Sequence, residues 1–174
     1  MARLIGYMGN RRDSLGDVLH QERQALVPKQ STSRNASWGI GFYQSGEVLH
    51  KKRPLKPGAQ IDWEMASRGV LSDCVVAHLR QPTVGDYRSE NVHPFRMRSW
   101  LFAHQGTIDR FDLVRDSVLE TLPDFVRRNI RGNTDSELFF HLALSFLYDD
   151  GNLENPDVRA EEVAHALRSS VALI

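Results

Sequence analysis

The chain has 174 residues, with 22 Lys and Arg against 22 Asp and Glu, so its formal net charge is zero. Hydrophobic residues make up 41% and charged residues 25%, which fits one domain with a substantial core and no unusual class. The basic pairs Arg11-Arg12, Lys51-Lys52 and Arg127-Arg128 are scattered and read as solvated surface, and no apolar run reaches the roughly 18 residues of a membrane span, so nucleic-acid and membrane partners are excluded.

Residues 3–8 read as a strand ended by Gly9-Asn10, and Gly6 and Gly9 break the stretch too early for a signal peptide. Ser14 is a candidate N-cap for a helix to about Gln24, with Leu15, Val18 and Leu19 on one face. Residues 38–43 and 47–50 flank Gln44-Ser45-Gly46 as a hairpin. Pro54 and Pro57-Gly58 mark a loop, and a short helix follows from Trp63 to Arg68. Cys74 to Leu79 is a buried strand leading into Arg80, then comes a polar loop from Gln81 to Asn91 and a strand from Trp100 to His104. Three helices complete the chain. One spans about Arg110 to Leu122 and stops at Pro123. The second opens with the capping box Thr134-Asp-Ser-Glu137 and runs to about Tyr148. The third starts near Pro156, in the favoured first helical position. Strands first and helices later, with antiparallel pairing, make an α+β fold.

Cys74 is the sole cysteine, which rules out an intrachain disulfide or a cysteine metal cluster and suits a reducing, cytoplasmic setting. It stands in an apolar strand, the setting of an inert thiol. His78, His93 and His104 lack the tight spacing of metal ligands, and His78 and His104 read as satisfied core histidines. Leu138, Phe139, Leu142 and Phe146 form a helical stripe for core packing. Asp135 in a first helical turn is favoured by the helix dipole even with no ligand, and Arg80 could be an ordinary strand-end charge.

Four motifs recur in a telling order: the N-terminal Met-Ala-Arg-Leu-Ile-Gly-Tyr-Met-Gly-Asn, then His78-Leu-Arg-Gln-Pro-Thr-Val-Gly85, Ala103-His-Gln-Gly-Thr-Ile108 and Asn133-Thr-Asp-Ser-Glu137. Together they resemble the class II, N-terminal nucleophile, glutamine amidotransferase domain over roughly residues 2–145. The resemblance implies a four-layer αββα sandwich over a single domain, residues 1–174. It also implies further strands beyond Ile174, so the chain reads either as the front portion of a longer protein or as one whose last residues finish a helix or add an edge strand. The implied chemistry splits the side-chain amide of glutamine or a γ-glutamyl amide through a γ-glutamyl thioester. The family nucleophile is a cysteine made N-terminal by loss of Met1, because its free α-amine then serves as base. Here that position holds Ala2. The implied roles continue with Arg80 for the substrate carboxylate, Thr83 for a hydroxyl contact, Asp135 for the substrate ammonium, and Gln105 and Gly106 for the oxyanion hole. Gln105 stands where the family usually has Asn. Asn91 and His93 belong beside the pocket without a catalytic role, and Trp38-Gly39 match a motif on a core strand near it. No cofactor or metal is implied. A glutamine-like small molecule is the implied partner, with a synthase or a second copy of the chain left open. Ala2 leaves three functional readings: a silenced amidotransferase, a glutamine-binding or regulatory module, and a purely structural domain that binds no amino acid, the last disfavoured because the ligand-holding motifs are intact.

Overall fold

A computed structural model of the chain describes residues 2–12, 15–22, 36–56, 61–81 and 83–174. Met1, the Ser14 cap, the helix end at Gln24, the Pro57-Gly58 turn and Pro82 lie outside the described residues. The chain divides into two compact units, Met1–Thr83 with Tyr87–Gln105, and Val84–Asp86 with Gly106–Ile174.

Among the described residues the strands all belong to the first unit. They are β1 (Arg3–Met8), β2 (Ser37–Gln44), β3 (Glu47–Pro54), β4 (Cys74–Arg80), β5 (Phe95–Met97) and β6 (Trp100–Phe102), with helices α1 (Leu15–Gln21) and α2 (Trp63–Ser67) between them. β1, β4, β2 and β3 form one antiparallel sheet in that order, and β5 pairs with β6 in a second. The β2–β3 hairpin turns at Ser45-Gly46, both at positive φ, as its turn residues require. Its second strand runs four residues past the sequence expectation, to Pro54, which pairs with Ser37 at the edge of the sheet where a missing N–H is tolerated.

Strand alternation gives the main sheet two different faces. Ile40, Phe42, Val75 and Ala77 point toward α1 and α2 and pack with Leu15, Leu19, Trp63 and Ala66 in one core. On the opposite face, Gly39 and Gly41 leave room for the second sheet. A Cβ at Gly39 would overlap the carbonyl oxygen of His93, and one at Gly41 would meet Pro94 and Leu101. The first unit is therefore three layers: helices, sheet, sheet. β5 escaped the sequence reading because Phe95-Arg96-Met97 is too short to show alternation, and β6 stops at Phe102 rather than His104.

The second unit is helical: α3 (Phe111–Thr121), α4 (Asp124–Arg127), α5 (Asp135–Asp149) and α6 (Ala160–Leu173). α5 is buried on nearly every side, and α3, α4 and α6 all pack against it. Thr134 caps it, its Oγ1 accepting from the Glu137 N–H at 3.1 Å. The Glu137 carboxylate reaches further back, to the N–H groups of Arg131 and Gly132 at 2.9 and 2.7 Å. α4 was not legible, being a single turn after the Pro123 that ends α3. The last helix begins at Ala160 and not at Pro156. Asn155 turns the chain first, its side chain accepting from the Asp157 N–H at 3.0 Å, and Arg159 with Glu162 then forms the cap. Among the described residues no helix is long and apolar enough to cross a membrane.

One surface expectation fails. Lys51 and Lys52 are not merely solvated: Lys51 Nζ donates to the carbonyl of Arg68 at the end of α2 at 2.6 Å, and Lys52 Nζ to that of Val92 at 3.1 Å. Both use a long apolar stem to bring a charge to backbone oxygens, which composition does not reveal.

Candidate functional site

The first unit supplies a polar face around the C-terminal end of β4. Arg3 pairs with Leu79 and Leu4 with His78, so Ala2, one residue earlier, stands level with Arg80. On the other side of β4, Ser37 pairs with Arg80 and Gly39 with His78. By alternation Ala2, Ser37, His78 and Arg80 share the face that meets the second sheet, while Trp38 points to the helix side. Of the Trp38-Gly39 motif, only Gly39 lies on the face of Arg80.

Burial here is deep. Ser37 is 0%, His78 2%, Arg80 4% and His93 4% exposed. His93, arriving from the loop ahead of β5, stacks on His78 with ring centroids 4.4 Å apart and on Phe95 at 4.5 Å. Neither ring nitrogen of His78 or His93 has a hydrogen-bond partner among the described residues, and neither has the Ser37 hydroxyl. The expectation that His78 is a satisfied core histidine is therefore wrong. Its ring lies against that of His93, and the glycine opposite it on β2 offers no side chain. Burial pushes the His78 imidazole down to about 4, helped by the charges of Arg80 and His104. It pushes His93 down to about 2, with His78, Arg80, His104 and Lys52 adding to the effect. Both rings are neutral at physiological pH, in a field set by cations. That field also argues against a cation as the guest, and among the described residues no group of three or more His, Cys, Asp or Glu is gathered for a metal.

His104 follows β6 and stacks loosely on Phe102. Gln105, next in the chain, is exposed, as are Gly106 and Thr83. Cys74 opens β4 opposite Met8, six residues from Arg80, so the two ends of the strand are about 20 Å apart at the usual rise. Burial raises its thiol pKa, leaving it protonated as well as remote from Ala2.

The second unit holds Asp135 and Gly106. Asp135 is 3% exposed at the start of α5. Its Oδ2 accepts from the Ile108 N–H at 2.9 Å, and its Oδ1 from the N–H and hydroxyl of Ser136 at 2.7 and 3.2 Å. Asp135 thus fastens the segment just after Gly106 to the helix N-terminus. Sequence reasoning saw the dipole but not this tether, nor Ser37 and the pairing of His78 with His93. Ser37 had no detectable signal. His93 was visible only as a motif residue, because its partner is 15 positions earlier in the chain.

Comparison with known proteins identifies the family and the fold. The family model described as "Glutamine amidotransferases class-II" matches residues 17–173. The chain is 27% identical to a Saccharomyces cerevisiae protein named probable glutamine amidotransferase DUG3, over 91% of this chain and 51% of that one. It is 28% identical to the γ-glutamyl-hercynylcysteine sulfoxide hydrolase of Mycolicibacterium smegmatis, over 71% of this chain and 59% of that one. The chain thus spans roughly half of each of these relatives. A solved glutamine aminotransferase class-II domain protein from Silicibacter pomeroyi shares the fold, with a TM-score of 0.62 at 21% identity over 97% of this chain and 63% of that one.

Proposed function

The chain belongs to the class-II glutamine amidotransferases, and from that premise we propose that it carries a site for glutamine or a γ-glutamyl amide whose nucleophile position is held by Ala2. The observation that carries this reading is the sheet register. It sets Ala2 level with a buried arginine, Arg80, on one face of the first unit. Arg80 would grip the substrate carboxylate with its fork of donors. Thr83 would add a hydroxyl contact, Asp135 would take the substrate ammonium, and Gln105 with Gly106 would meet the oxyanion. With cysteine at position 2, the thiol would add to the side-chain carbonyl carbon while its proton passes to the free α-amine. That proton then leaves with the departing ammonia or amine, and water releases glutamate from the thioester. With alanine there is no atom to add, so the chain as it stands does not turn over. Ala2 itself favours a second reading, a glutamine-binding or regulatory module that keeps the ligand-holding residues.

The test compares glutamate and ammonia release from L-glutamine by the Ala2→Cys protein and by the chain as it stands, with intact mass confirming loss of Met1. Turnover by Ala2→Cys alone supports a silenced amidotransferase. A processed but inert Ala2→Cys protein that still binds glutamine supports the binding module. An inert protein that binds no glutamine refutes both.

A further inference from the structure

Three buried side chains around Arg80 have polar atoms that no described residue satisfies. They are the Ser37 hydroxyl on β2, the His78 ring on β4 and the His93 ring ahead of β5. Each is more than nine-tenths buried. Buried polar groups are nearly always paired, so a cluster of three unmet ones around a single guanidinium calls for a guest. What the cluster can offer decides the guest's chemistry. A neutral imidazole presents one N–H donor and a serine one O–H, and Arg80 adds a permanent positive charge. The Arg80 cation acts on both rings, and Lys52 adds to it at His93. A site of donors in a positive field suits a small anion with oxygen acceptors.

We propose that Ser37, His78 and His93 are ligand-positioning donors that, together with Arg80, hold the carboxylate of an amino-acid ligand between the two sheets of the first unit. This rests on the reading of the chain as a glutamine site and adds to it a set of residues that fix the carboxylate's orientation. The stacked pair makes the arrangement rigid. His93 is held between His78 and Phe95, and its backbone carbonyl lies on Gly39, so neither ring can swing away to solvent. Fixed donors discriminate better than mobile ones because little entropy is lost when the ligand arrives.

The test is calorimetric titration of the chain as it stands with L-glutamine and with L-glutamine α-amide, in which a neutral carboxamide replaces the carboxylate. Glutamine is expected to bind, and His93→Phe to weaken it about tenfold, the effect of one lost hydrogen bond to a charged group. The α-amide should be nearly insensitive to that change. His93→Gln, which restores an N–H donor, should recover most of the loss, and Ser37→Ala should weaken glutamine alone by several-fold. Thermal melts at neutral pH identify any variant that does not fold, and Ser37→Ala with His93→Gln then carry the comparison. If folded variants weaken both ligands equally, or neither, the carboxylate assignment is overturned while the glutamine site stands. If the unaltered chain binds no glutamine, both fall.

Discussion

Acidifying the protein should expose the cost of keeping His78 and His93 neutral. In an unfolded chain an imidazole titrates near 6.5. Here the folded values are about 4 for His78 and about 2 for His93. Between those limits the unfolded state binds protons that the native state refuses, so stability falls as pH falls from about 6.5 toward 4. At pH 5 the unfolded imidazole is about 1.5 units below its pKa, which costs about 2 kcal/mol for each histidine. The pair together loses about 4 kcal/mol relative to pH 7.5, a large share of the 5–15 kcal/mol typical of a domain. His50 and His141 are also depressed by burial and act in the same direction. A variant therefore isolates the effect better than the pH curve of the parent alone. His93→Phe keeps an aromatic ring against Phe95 and removes one titrating group, so its stability should fall by about 2 kcal/mol less over the same range. Urea unfolding at pH 7.5, 6 and 5, with equal m-values for the two proteins, gives the comparison. Parallel curves for parent and variant would show that His93 takes up a proton in the native state as readily as in the unfolded one, and the argument from burial would be refuted.

Two further outcomes follow from the packing. Gly39→Ala should be strongly destabilising, by about 3 kcal/mol or more, because its Cβ overlaps rigid backbone at His93, whereas Gly6→Ala, with open space around it, should change stability by less than about 1 kcal/mol. Urea midpoints of the two variants at pH 7.5 test this, and similar midpoints would contradict the close approach of the two sheets. Asp135→Asn keeps one acceptor oxygen but places an amide where the second received a backbone donor. It should cost about 1–3 kcal/mol of stability even without ligand, measured by the same unfolding assay. An unchanged stability would mean that Asp135 does not tether Ile108.

The sequence by itself determined the local features. A short stretch ended by Gly9-Asn10 marked β1, a nearly continuous apolar run marked β4, Ser45-Gly46 marked the hairpin, and Thr134 with Glu137 marked the start of α5. These are decided by residues within a few positions of one another, where periodicity and capping chemistry act directly. The ordered motifs, read with Ala2 at the second position, pointed to the family that the comparisons bear out. Elements too short for a period, β5 and α4, could not be read that way, and the start of α6 depended on whether Asn155 capped a helix or closed a turn. What only the tertiary structure decided is which distant residues share a face. Ser37 carries no signal in the sequence, and His78 and His93 stand out there only as motif residues, with nothing to show that the three belong together. They become one polar cluster around Arg80 because the β2–β4 register sets Ser37 beside Arg80, and because a glycine at position 39 lets the second sheet settle on the first. Register and sheet-to-sheet approach are long-range choices. They are fixed by the fit of the whole unit, and no short stretch of the chain encodes them.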